Sequence, residues 1–205
     1  MKISNIILTA VFILASVETV FAQASNDNQT IGDGVAAYSL QNYEKAAEIW
    51  HSLAENGSAD AAFRLAQLYD LGLGVDYDPQ QTAKWLDIAA TNGFAEAQYM
   101  LAGMYATGRG ITPNQNKAVE LYTKAAENGH PQAQYQLGSI YVLGQGVERD
   151  NLIAAFWLSK AKSGLTSSSE KQTADQVYET IFETLSDEQK LELLKLLAFS
   201  NNSSN

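Results

Sequence analysis

The chain of 205 residues is 46% hydrophobic and carries 23 acidic against 13 basic side chains, a net charge of −10 at pH 7. That length suits one domain with a small appendage, and so acidic a surface repels phosphate backbones and anionic lipid, which excludes nucleic acid as a ready partner. The absence of cysteine removes disulfides, thiol catalysis and thiolate metal sites together.

Residues 1–22 read as a signal peptide. Lys2 supplies the positive start, Ile6 to Ala15 is apolar apart from Thr9, and Val20, Phe21 and Ala22 suit a cleavage site. The apolar run is shorter than the roughly 20 residues a membrane span needs. Cleavage is expected after Ala22 or Ala24, giving an exported protein, periplasmic or secreted, with no stable span once processed. Residues 23–30 are polar and read as a disordered leader.

Residues 31–40 and 42–57 form a compact helical pair. Asn42 stands as a cap, and Ala46, Ala47, Trp50 and Ala54 form the apolar stripe of the second helix. The chain then repeats itself with a period of 36 residues. Ala61, Leu65, Leu68 and Tyr69 recur as Ala97, Leu101, Met104 and Tyr105, and again as Ala133, Leu137, Ile140 and Tyr141. Their spacing puts them on one helical face. The pairs Gly72/Gly74, Gly108/Gly110 and Gly144/Gly146 end these first helices. Asp78, Asn114 and Asp150 cap the second helices, with Pro79 at a first helical position. Trp85, Leu121 and Trp157 share one register and are assigned to the core. One helix pair cannot bury its apolar face alone, whereas stacked pairs share a continuous core.

The tail, residues 165–199, is expected to be two capping helices. One spans Ser167 to Leu185 and the other, after a Ser186/Gln189 capping box, contains Leu191 to Phe199. The alternative use of that last apolar helix is a partner or homodimer contact. Residues 200–205 read as a disordered tail.

The segments AQYMLAGMYATGRGI, AQYQLGSIYVLGQGV and KAVELYTKAAENG resemble the Sel-one-like repeat family, a branch of the tetratricopeptide-like solenoids. The resemblance covers residues 58–164 and implies an all-α fold, a right-handed α/α superhelical solenoid. Its repeat domain spans residues 31–164, about three and a half helix-turn-helix repeats including the first pair, followed by the C-terminal cap. It also implies a concave groove lined by first helices, and adaptor roles in assembly, signalling and envelope processes. Some cysteine-rich secreted members are described as β-lactamase-like. Their cysteine pair per repeat is missing here, so a hydrolase activity is disfavoured.

Phe63, Tyr99 and Tyr135 recur at the repeat period and lie away from the core stripe. They are either an aromatic ladder along the groove, suited to an extended peptide or a sugar face, or packing between adjacent first helices. Gln67, Met100 and Ser139, with Arg64 and Gln136, lie near the same face. The glycine pairs follow helices, not strands, and read as turns instead of phosphate cradles. His51 and His130 are too far apart in the repeat order for a shared site, and His130 reads as a solvated junction residue. No catalytic residue, metal ligand set or cofactor is assigned. The expected partner is another protein or extended peptide held in the groove, with peptidoglycan or polysaccharide as the alternative.

Overall fold

The computed structural model describes residues 30–202, which contain ten α-helices and no strand. The signal at 1–22, residues 23–29 of the leader and residues 203–205 lie outside the described residues. The described chain divides into two compact units that meet between Tyr77 and Asp78 in sequence.

The first unit holds α1 (Ile31–Ser39), α2 (Tyr43–Glu55) and α3 (Ala59–Leu71). Thr30, the last residue of the expected leader, caps α1. Its hydroxyl accepts the Asp33 N–H, and the Asp33 carboxylate accepts the Thr30 N–H at 2.8 Å. Asn42 and Ser58 cap the next two helices through their side-chain oxygens. Gln41, at φ 61°, turns the chain between α1 and α2, where later helix pairs use a longer glycine loop. The core is Ala46, Ile49, Trp50 and Ala54 against Ala61, Leu65 and Leu68. Gly34 is the buried residue of α1. The Trp50 indole lies so close to it that a methyl group there would overlap the ring nitrogen and its neighbouring carbons.

The second unit holds α4 (Pro79–Thr91), α5 (Ala95–Thr107), α6 (Gln115–Glu127) and α7 (Pro131–Leu143). It continues with α8 (Asn151–Gly164), α9 (Ser168–Thr184) and α10 (Asp187–Asn202). Asp78 accepts the Gln80 and Gln81 N–H groups with Pro79 at the first helical position, and Asn114 and Asp150 repeat the cap. Gly108 and Gly144 take left-handed φ of 78° and 71° and end α5 and α7. The second glycine of each loop has another duty. A Cβ on Gly110 would stand 2.5 Å from the Cβ of Pro79, and one on Gly146 would stand 2.8 Å from Cγ of Gln115. Each loop therefore closes on the start of the second helix in the preceding pair.

Trp85 is 2% exposed, as a core residue should be. Trp157 departs from the core assignment: it is half-buried, its ring edge-on to Phe156 at 5.0 Å. It lies on the last second helix of the array, so no later repeat covers it. The tail closes the core. Ala174 packs with Ala161 and Leu165, while Ile181, Leu185 and Leu193 cover Ala154 and Ala155. Leu193 is completely buried, a contribution of about 2 kcal/mol. Ser186 and Gln189 make the expected reciprocal bonds at 3.0 and 3.2 Å. The helix they start continues past Phe199 to Asn202.

Candidate interaction surface

The first helices carry the six groove candidates: Phe63 and Gln67 on α3, Tyr99 and Met100 on α5, Tyr135 and Ser139 on α7. Beside them each unit has a hollow. In the first unit it measures about 170 Å³ and is lined by Val35, Tyr38, Trp50, Arg64, Gln67 and Leu71. Asp60 holds the Arg64 side chain at 2.8 Å, and the guanidinium stands 5.6 Å from the centre of the Trp50 ring. Tyr38 completes the aromatic wall, its centroid 5.9 Å from Trp50 and 5.1 Å from Tyr43. Leu71 is 63% exposed at the mouth.

In the second unit the hollow measures about 440 Å³ and is lined by Ala106, Gln115, Tyr122, Gln136, Ile140 and Gln145. The two hollows occupy the same register, two repeats apart. Trp50, Arg64 and Leu68 become Tyr122, Gln136 and Ile140. One is aromatic and cationic; the other is lined with amides.

Of the six candidates, Gln67 lines a hollow. Tyr99 leans on the next junction, stacked on His130 at 4.6 Å and tilted against Tyr122 at 5.8 Å. Tyr135 does the equivalent, packing on Ala161, Leu165 and Ala174. Phe63 and Met100 are half-buried on their helices. Ser139 donates its hydroxyl to the Tyr135 carbonyl at 3.0 Å.

His130 differs from its solvated reading. It is 9% exposed and caps α7: Nδ1 accepts the Ala133 N–H at 3.2 Å, which leaves the ring proton on Nε2, 2.7 Å from the Glu96 carboxylate. Two buried glutamines were also missed. Gln98 and Gln134 donate to the Ala90 and Ala126 carbonyls, each at 3.0 Å, and Asn128 donates to Gln98 at 3.1 Å. The signal for them was present in the repeated Ala-Gln-Tyr triplet, whose central amide satisfies carbonyls at the end of the preceding second helix.

Burial pushes the Tyr122 phenol up to about 12, with Tyr99 adding to the effect. Burial, then Glu96 and Glu170, raise Tyr99. Both phenols are therefore neutral, apolar-backed side chains at neutral pH. Among the described residues no group of three His, Asp or Glu side chains is placed to hold a metal ion, and no helix is long and apolar enough to cross a membrane.

The family model for the Sel1 repeat matches residues 32–58, 59–94, 95–130 and 131–164. The chain belongs to the Sel1 repeat family. A Sel1 repeat protein from Oxalobacter formigenes is similar in structure, with a TM-score of 0.67 and 28% identity over 76% of this chain and 60% of that one. The protective antigen c5321 of uropathogenic Escherichia coli, which displays an SLR fold, aligns with a TM-score of 0.54 and 23% identity, covering 89% of this chain and 47% of that one. This chain thus spans about half to three-fifths of the length of these two structures. No curated protein matches the sequence. The all-α solenoid class follows from the Sel1 repeats together with the helical architecture, and Sel1 repeat proteins are generally non-catalytic, protein-interaction scaffolds.

Proposed function

We propose that this Sel1 repeat chain is an exported scaffold that holds a segment of a partner protein along its first helices. The observation that carries the reading is the hollow of α1–α3, with Trp50 and Tyr38 as rigid walls and Leu71 exposed at its mouth. Such aromatic walls offer contact area at little entropic cost, and Gln67 adds an amide able to donate and accept. The hydrophobic stretch at Ile6–Ala15 supports export.

Affinity capture from an envelope extract, comparing the full chain with Leu71→Glu and Tyr38→Ala variants, tests the binding. One protein recovered by the wild type and lost with both variants is the expected outcome. Equal recovery by all three would remove the α1–α3 hollow from the mechanism. Cell fractionation with N-terminal sequencing tests export, the expected mature start being Gln23 or Ser25.

A further inference from the structure

The first unit has a second concavity, which the groove reading does not use. It measures about 650 Å³ and lies between α2 and the α3 glycine loop. Its floor is apolar: Ala47 and Leu65 are buried, and Tyr69 and Val75 half-buried. Its rim is a row of carboxylates on one face of α2, Glu44, Glu48 and Glu55. Trp50 points from the same helix into the other hollow, so the two concavities are served by different faces of α2.

Charge on this rim is unbalanced. Glu48 meets Lys45 at 2.9 Å, Glu55 meets the His51 ring at 3.6 Å, and Glu44 has no cationic partner among the described residues. The repeat scaffold does not demand the row. One repeat later the same positions are Gln80, Lys84 and Thr91. Two repeats later they are Asn116, Glu120 and Glu127, where Lys117 and Lys124 flank Glu120 at 3.5 and 2.7 Å. Thus the core and loop positions repeat, whereas a row of three carboxylates, with Glu44 unmatched by a cation, belongs to the first pair alone.

We infer that this groove docks a basic, extended segment of a partner protein, with a lysine or arginine near each end of the carboxylate row and an apolar side chain between them on the Ala47–Tyr69–Val75 floor. Charge complementarity selects the partner's sign. The apolar floor separates the site from a merely acidic surface, because it rewards a side chain seated between the charges. The row sets the spacing. Glu44 and Glu55 are eleven residues apart on α2, about 16 Å at the helical rise, which an extended strand crosses in about five residues.

The test uses the full chain and a fluorescent probe peptide, Lys-Ser-Leu-Ser-Leu-Lys, with two controls in which Glu replaces Lys or Ser replaces Leu. Glu44→Gln/Glu48→Gln/Glu55→Gln keeps side-chain size and helix propensity and is expected to weaken binding by about tenfold, for the loss of partly exposed ion pairs to both lysines. Removing the same formal charge elsewhere, with Glu127→Gln/Glu148→Gln/Glu183→Gln, is expected to change it by less than about twofold, because screening confines the effect to nearby charges. The Ser-for-Leu peptide is expected to bind more weakly than the probe, and the Glu peptide not at all. Equal losses in the two triple variants, equal binding of the Leu and Ser peptides, or failure of the probe to bind would each overturn the inference. Leu71→Glu is expected to leave probe binding unchanged, so failure of the α1–α3 hollow and failure of this groove are read separately.

Discussion

The two hollows differ most at the ring that the second helix presents to each. In α1–α3 it is an indole, Trp50, packed so tightly on Gly34 that no methyl group fits; in α5–α7 it is a phenol, Tyr122, at the same register. Ring size alone does not set the approach: at Leu158, one repeat further on, a Cβ on Gly138 would stand 2.7 Å from Cγ of the leucine. A repeat scaffold fixes which positions meet; the identity of each pair then decides how closely the backbones approach and what chemistry lines the surface.

That comparison can be broken most forcefully at Trp50, which is 3% exposed. Trp50→Ala is expected to destabilise the first unit by about 3–5 kcal/mol, read as loss of hydrogen-exchange protection in α1–α3. Next comes Gly34→Ala, expected to cost about 1–3 kcal/mol through overpacking. Trp50→Tyr in the same molecule should recover part of that loss. If Gly34→Ala is neutral, or the smaller ring brings no relief, close approach is not why glycine stands there.

The second hollow is sharpened by pH. Tyr122 is raised from 10 to about 12 in the folded protein, so the neutral phenol favours the fold fully below pH 10. That contribution is lost as pH rises through about 12. Alkaline unfolding should shift to higher pH in Tyr122→Phe, and an unchanged midpoint would count against the burial argument. The smallest effect is expected at Arg64. Arg64→Gln, which makes the first hollow resemble the second, should cost about 0.5–1 kcal/mol in a denaturation midpoint.

The helices, loops and caps were legible because each depends on residues near in sequence. Asp78 caps groups two and three positions on, and Gly108 ends the helix that immediately precedes it. The period of 36 residues supplied the stacking. His130 was misread because its partner, Glu96, lies 34 residues upstream, beyond any local pattern. Trp157 shows the complementary error: the repeat register predicts its environment only while another repeat follows. The hollows were partly legible. Gln67 was assigned to the right face, but Trp50 was read purely as core, since nothing in a helical stripe reveals that one edge of a buried ring also walls a surface hollow.

The second loop glycines bear on how such an array can grow by duplication. Gly74 abuts Tyr43, Gly110 abuts Pro79 and Gly146 abuts Gln115. Each latch and its seat lie inside one segment, residues 43–78, 79–114 or 115–150. A gene segment copied between those boundaries carries both halves of its own fastening. One copied between the boundaries of the matched repeats, such as 95–130, separates Gly110 from Pro79 and must find a compatible seat in whatever precedes it. The self-fastened module is therefore offset from the helix pair, and chimaeras spliced at second-helix starts should tolerate foreign neighbours better than those spliced at first-helix starts.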